Sequence, residues 1–225
     1  MIKYVLAIAA AAVIGYLLGS CNSAIIVVRL LKGEDVRSKG SGNAGLTNTL
    51  RCYGKGCALA TLIGDLAKGV VAVLLARLIC RLLEAGLMPG NDTHYIGYIA
   101  GLFAILGHVF PLYYGFKGGK GVLVGVSIFI IVNPIVFGIL IGIFAIVLAI
   151  SKYVSLSSII ATICCPLLTV PVGVFICGDS WQRSLLYAIL SVPMGAMIVW
   201  MHRSNIQRLK DGCENKFSFS SSKNK

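Results

Sequence analysis

The sequence predicts an all-α integral membrane protein with seven transmembrane helices, some of them short or tilted, and three observations carry that expectation. Charged residues make up 12% of the chain against 57% hydrophobic, with a mean hydropathy of +0.89, whereas a soluble domain is about one quarter charged. Apolar runs of span length recur from end to end. Between them stand glycine-rich polar islands that collect the cations. The net charge of +12 would also suit nucleic acid, but the aromatic residues lie inside apolar runs and the cations lie in connections. Anionic lipid, positive-inside topology and phosphorylated ligands account for the charge, and no nucleic-acid partner is expected. The eight cysteines have no metal-ligand spacing and read as small apolar side chains, so neither disulfides, nor a metal, nor another cofactor is expected.

Taken in order, Tyr4–Leu31 is uncharged until Arg29 and continues past Cys21 through Ile25–Val28, which favours one uncleaved span over a signal peptide. A second span covers about Cys57–Leu83 and carries Asp65 and Lys68 one turn apart, a spacing that predicts an internal ion pair beneath the first island. The connection Glu84–Thr93 holds Pro89 and Gly90 and no cation, which places it outside. Tyr95–Leu112 is the third span. Val122–Ile150 runs for 29 residues, too long for one span and too short for two full ones, and Asn133-Pro134 divides it into the fourth and fifth. Leu156–Ile176 and Leu185–Met201 complete the seven, in a single polytopic domain over residues 1–225 with a flexible tail from about 215. With the amino terminus outside and the carboxy terminus inside, the polar islands share the cytoplasmic face, which then carries fifteen of the twenty Lys and Arg residues. Four G-x-x-x-G pairs (Gly15/Gly19, Gly97/Gly101, Gly121/Gly125, Gly138/Gly142) decide little, since a chain with 26 glycines yields about three by chance.

The first island is Ser38–Arg51, with Gly40, Gly42 and Gly45 among Ser41, Asn43, Thr47 and Asn48, and Arg51 at its end. Glycine permits left-handed turns and close approach of backbone N–H groups to an anion, and a guanidinium can close on a phosphate. The G-x-G-x-x-G match is not a dinucleotide fingerprint, because an apolar helix precedes it instead of a buried strand. On its own, such a stretch also reads as a plain polar loop between spans. The second island runs from Gly107-His108 to Phe116-Lys117-Gly118-Gly119-Lys120-Gly121, where Gly121 stands in place of the hydroxyl residue that a Walker A motif requires. It is a second glycine cradle with two lysines at a helix start. In the third island, His202, Asn205 and Arg208 share one face if the last span continues as helix, followed by Gly212 and Glu214. A histidine there can accept a proton near neutral pH, although a snorkelling basic helix is the plainer reading of that stretch alone.

Together, and in this order, the islands resemble the PlsY-type acyl-phosphate:glycerol-3-phosphate acyltransferases of bacterial membranes. The resemblance covers Leu18–Lys216 and rests on Gly40-Ser41-Gly42-Asn43 with Thr47-Asn48 and Arg51, on Gly107-His108 and Phe116–Gly121, and on His202, Asn205, Arg208 and Glu214. Leu46 departs from a usual alanine, and Leu123-Val124 from a usual Ala-Thr that would give the helix start a hydroxyl. The resemblance implies transfer of a fatty acyl group from acyl phosphate to the 1-hydroxyl of glycerol 3-phosphate, giving lysophosphatidic acid and phosphate. It further implies a monomer in the bacterial inner membrane, without metal or cofactor. On that reading Arg51, Lys117 and Lys120 meet the phosphates, with Gly40, Gly42, Asn43, Gly118, Gly119 and Arg208 helping to bind. Ser41, Ser155 and Asn205 orient the acceptor, His202 assists proton removal, and Asp65, Lys68 and Glu214 brace the site. A transporter or binding protein for phosphorylated solutes is the competing class, but it would place polar residues at the membrane midplane and show an internal repeat, and neither is visible.

Overall fold

A computed structural model describes residues 1–86 and 93–217. Among these residues there are nine α-helices and two 3₁₀ turns, and no strand: α1 Ile2–Ser20, α2 Ser23–Lys32, α3 Leu46–Leu82, α4 His94–Val109, α5 Val122–Val132, α6 Pro134–Ser151, α7 Val154–Phe175, α8 Trp181–Met201 and α9 Arg203–Lys210. Six helical stretches are long and apolar enough to cross a membrane, the first being α1 with α2, and α5 is a shorter apolar helix. The sequence-based division at Asn133-Pro134 holds, since α5 ends at Val132 and α6 begins at Pro134. At about 1.5 Å per residue α5 reaches roughly half of the ~30 Å hydrocarbon core. Residues 87–92 of the Glu84–Thr93 connection, with Pro89 and Gly90 among them, lie outside the described residues.

Three expectations about helix limits are corrected. The first span is not continuous: Asn22 leaves helical geometry at ψ 108°, and its side chain accepts from the Ile25 amide at 3.1 Å, because a short polar side chain competes for the backbone N–H and starts a new helix. The second helix starts eleven residues early, at Leu46, so Thr47, Asn48 and Arg51 are helical instead of looped. It kinks at Gly54, whose φ of 81° is open to glycine and strained for other residues. The last span ends at Met201 as expected, but the helix does not run on unbroken through the third island. His202 ends α8 and begins α9.

The chain forms two compact units, Met1–Pro134 and Ile135–Lys225. In the first, α1 and α4 touch backbone to backbone. A Cβ at Gly15 or Gly19 would run into the carbonyls of Ala100 and Ala104, and one at Gly107 into the carbonyl of Tyr16. Gly97 and Gly101 face Val132 and Ile128 of α5, and Gly69 of α3 faces Ser127. Close packing of this kind lets dispersion hold helices together where lipid supplies no hydrophobic drive. Gly138 and Gly142, by contrast, have nothing within 4 Å of a built Cβ. In the second unit α7 and α8 pack together, with Gly173 against Ser184 and Gly195 against Thr162. Within each unit, connections expected on one side lie together. The first and second islands lie at one end of the first unit, joined by Arg37, which donates to the Lys117 carbonyl at 2.8 Å. In the second unit the Phe217 amide donates to the Lys152 carbonyl at 2.7 Å, so the expected tail is tied to the end of α6 through residue 217, and the rest of it lies outside the described residues.

Gly19→Ala should therefore lower stability by at least about 1–3 kcal/mol, the range for overpacking a filled contact, while Gly142→Ala should stay within about 0.5 kcal/mol. Thermal unfolding of the purified protein in detergent measures both. Equal effects would contradict the assigned α1–α4 contact.

Candidate active site

The first unit is organised around a buried cation. Lys68, on the face of α3 turned into the bundle, donates to the Cys21 carbonyl at 3.1 Å and to His108 Nδ1 at 2.8 Å. Its Nζ also lies 2.9 Å from Asp65 Oδ1, a charge contact without linear hydrogen-bond geometry, since that oxygen otherwise lacks a hydrogen-bond partner. An ammonium has three donors and no acceptor, so His108 must offer the Nδ1 lone pair and carry its proton on Nε2. The expected Asp65–Lys68 pair is present, and the histidine completes it. Asp65, Lys68 and His108 are all buried.

Above this cluster the first island is held by side chains on backbone. Asn48 donates to the carbonyls of Val36 and Lys39 at 3.0 and 3.1 Å. Its oxygen accepts from the Ser41 amide at 2.9 Å and the Ser41 hydroxyl at 3.2 Å. Gly40 and Gly42 take φ of 63° and 70°, and a Cβ on Gly40 would strike Asn48 and Cys52. Asn22 reaches the Ala44 carbonyl at 3.3 Å and so fastens the break in the first span to this island. Ahead of it Asp35 accepts from Arg29 at 2.8 Å and from the Arg37 amide and Nε at 2.9 Å each. Hydrogen bonds from Arg37, then from Arg29, outweigh partial burial and hold Asp35 well below the usual carboxylate range.

The second island folds back on α4. The amides of Gly118 and Gly119 donate to the carbonyls of Val109 and His108 at 3.1 Å each. These two amides close the turn and are not open to a phosphate, so the glycines serve close approach: a Cβ on Gly119 would collide with His108 Nε2 and the Ala44 carbonyl. Arg51 and Lys117 are exposed, and neither side chain has a hydrogen-bond or ion-pair partner among the described residues. Lys120 is half-buried and Asn43 lies at the base of the first turn, where its carbonyl accepts from Gly45 at 3.0 Å.

In the second unit Glu214 gathers the third island. One carboxylate oxygen accepts from Ser155 at 2.9 Å and from Asn205 at 2.7 Å, and the other from Arg208 at 2.7 Å. Asn205 and Arg208 share a face of α9 as their spacing requires. His202 is buried at the α8–α9 junction, and its Nδ1 lies 2.8 Å from the Ile198 carbonyl. A carbonyl only accepts, so Nδ1 carries the proton and Nε2 is the basic nitrogen of the neutral ring. Sequence reasoning passed over Asn22, Asp35 and Arg37. The Asp-x-Arg spacing and an asparagine inside an apolar run were the signals that could have found them.

The chain is similar to known proteins of one family. Residues 9–212 match the family described as glycerol-3-phosphate acyltransferase. A protein of that name from Clostridioides difficile (strain 630) is 38% identical over 205 residues, covering 91% of this chain and 93% of its own length. Another, from Synechococcus sp. (strain CC9902), is 42% identical over 202 residues, covering 89% and 90%. The crystal structure of PlsY (YgiH), an integral membrane glycerol 3-phosphate acyltransferase, in its glycerol 3-phosphate form superposes with a TM-score of 0.77 at 32% identity, covering 92% of this chain and 94% of that one. Its lysophosphatidic acid form gives 0.74 at 30% identity with the same coverage.

Burial pushes the Glu214 carboxyl up, and the hydrogen bonds from Asn205, Ser155 and Arg208 outweigh it, leaving the group below its ordinary 4.5. A lowered folded value gives stability that is complete above the unfolded value and lost as pH falls through the folded one. Glu214→Gln should accordingly cost about 1.5–3 kcal/mol at pH 7, the range for hydrogen bonds to a charged group, and the difference from wild type should shrink towards zero in acid below about pH 4. Unfolding of both proteins across that window tests it; a difference independent of pH would remove the carboxylate from this role.

Proposed function

Because the chain belongs to the glycerol-3-phosphate acyltransferase family, and is on that ground an integral membrane enzyme that acylates glycerol 3-phosphate, we propose that its donor is a fatty acyl phosphate. The observation that supports this most is the pair of exposed cations Arg51 and Lys117 on adjoining islands, neither with a protein partner among the described residues. Two phosphates need two such stations. An acyl phosphate carries a compact dianionic leaving group beside the reacting carbonyl, and cations that bind it gain strength as charge builds on departure. A thioester offers no such charge.

In the proposed reaction the 1-hydroxyl of glycerol 3-phosphate attacks the acyl carbonyl. The new C–O ester bond forms, the bond from the acyl carbon to the phosphate oxygen breaks, inorganic phosphate departs, and the hydroxyl proton leaves to a base. Arg51 is assigned to the acceptor phosphate, and Lys117 and Lys120 to the donor phosphate. Gly40, Gly42 and Asn43 shape the first turn, while Gly118 and Gly119 seat the second against His108. Ser41, Ser155 and Asn205 orient the acceptor, and Arg208 adds positive charge. His202 Nε2 is the assigned proton acceptor, its tautomer set by the Ile198 carbonyl. Asp65, Lys68 and Glu214 brace these groups. The protein is assigned to the bacterial inner membrane as a monomer with its islands on the cytoplasmic side, an orientation that the cation distribution supports. Cysteine labels at Lys117 and beyond Gly212 should react only from that side, and external labelling of either would overturn this orientation.

Phosphate release by the purified enzyme tests the chemistry. Acyl phosphate should be used faster than acyl-CoA by orders of magnitude, since losing a charge-assisted contact costs about 1.5–3 kcal/mol each. Lys120→Ala should raise KM for the donor, and Arg51→Ala mainly that for glycerol 3-phosphate. His202→Ala should lower kcat by about 10²-fold, within the range general-base assistance supplies, and chelator should change nothing. Equal use of acyl-CoA would sink the donor assignment.

A further inference from the structure

Arg37 stands just ahead of the first island, and its guanidinium spends one edge on the turn that leads into that island and another nitrogen on the second island. One edge is bidentate on Asp35, with Nε to Oδ1 at 2.9 Å and a terminal nitrogen to Oδ2 at 2.8 Å. The remaining terminal nitrogen donates both hydrogens across to the second island, to the Tyr114 and Lys117 carbonyls at 2.8 Å each. Asp35 is itself immobilised, since it accepts from Arg29 and caps the Val36–Ser38 turn. Arg29 lies over the Tyr114 ring at 5.3 Å, so Tyr114 is held by its ring as well as by its carbonyl.

The two carbonyls that Arg37 holds bracket Gly115 and Phe116, which have φ of 65° and 58°. Phenylalanine in that region is strained by about 1–3 kcal/mol and persists only where the surroundings over-determine it. Lys117 is the next residue. Its side chain projects from a turn that would otherwise relax.

We infer that Arg37 is a positioning residue for the reaction: by pinning both ends of the Gly115–Phe116 turn to the first island, it fixes where the Lys117 ammonium meets the donor phosphate. The inference rests on the proposed function for what Lys117 does, and not for the strap itself. A lysine at position 37 keeps the charge but lacks the planar fork, and cannot hold the carboxylate on one edge and two carbonyls from another nitrogen. The ion pair is about one quarter exposed on both sides, so losing it lowers stability as well. A purely structural Arg37 would show itself in the melting temperature and in equal losses for the two substrates. A positioning Arg37 shows itself in an unequal split of KM between them and in the place of the turn.

Arg37→Lys and Arg37→Gln, purified in detergent, are the test. Both variants should still fold, with the melting temperature lowered by several degrees, while KM for acyl phosphate rises about tenfold and kcat/KM falls by up to about 10²-fold, the loss that a misplaced contact group causes. KM for glycerol 3-phosphate should move less than about twofold, because a role through Lys117 touches the donor alone. In parallel, spin labels at Lys32→Cys on α2 and Tyr113→Cys on the second island, in a background without exposed native cysteines, report the separation of the two loops with no substrate present. The distribution should be narrow with Arg37 and broad in both variants. A wild-type KM for acyl phosphate in either variant, a narrow label distribution without Arg37, or losses that fall equally on both substrates with the melting temperature would overturn the inference. A wild-type enzyme inactive with acyl phosphate would strike the donor reading alone, since the label distances stand without it.

Discussion

A lysine ammonium enclosed by helices that cross a membrane constrains everything around it. Left without acceptors Lys68 would cost several kcal/mol, and it finds partners on three elements: the charge of Asp65 one turn away on α3, and as hydrogen-bond acceptors the Cys21 carbonyl and His108 on α4. Each partner in turn settles something else. The Cys21 carbonyl is available because the first span breaks there, where an uninterrupted helix would have used it internally. Asn22, which makes the break, also fastens it to Ala44 of the first island. His108 is the last turn of α4, and the second island is laid against its ring and its carbonyl through Gly119. One buried charge therefore sets the floor on which both islands of the first unit stand.

Glycine serves two different ends in this chain, and the sequence does not separate them. At Gly40, Gly42 and Gly54 it supplies a left-handed backbone. At Gly15, Gly19, Gly118 and Gly119 the backbone is ordinary and the missing Cβ is what matters, because another element's carbonyl occupies its place. The lysine-rich second island reads as an anion cradle built from amides, yet the amides of Gly118 and Gly119 are used to fold the turn back on α4. What that turn can offer an anion is the Lys117 side chain, with Lys120 following it.

The legible parts of the fold were those set by hydropathy and by local chemistry. Span number, the break at Asn133-Pro134 and the Asp65–Lys68 pair follow from apolar length, proline and helical spacing alone. The gathering of Ser155, Asn205 and Arg208 was half legible: their types pointed to a polar site, but Glu214 as the common acceptor depends on how the chain returns after Gly212. Helix limits at Cys21–Asn22, Gly54 and His202 were not legible, because apolar composition continues across the first, and the other two depend on tertiary partners that periodicity does not encode. Arg37 was half legible. The Asp-x-Arg spacing signals its pair with Asp35, but its other acceptors are backbone carbonyls some eighty residues away, and carbonyls carry no sequence signature.

These misses have one physical origin. Within or beside a bilayer, backbone that leaves the helix must be satisfied by protein, since lipid offers nothing and water little. An enzyme that handles phosphates at such a surface needs irregular, glycine-bearing turns to place its cations, and every turn releases carbonyls and amides that must then be claimed. Here the claimants are side chains: Lys68 takes the Cys21 carbonyl, Asn48 those of Val36 and Lys39, and Arg37 those of Tyr114 and Lys117. The same polar residues that stabilise the irregular backbone thus fix the positions of the cations it carries, so in these islands structural support and placement of the chemistry are one set of hydrogen bonds.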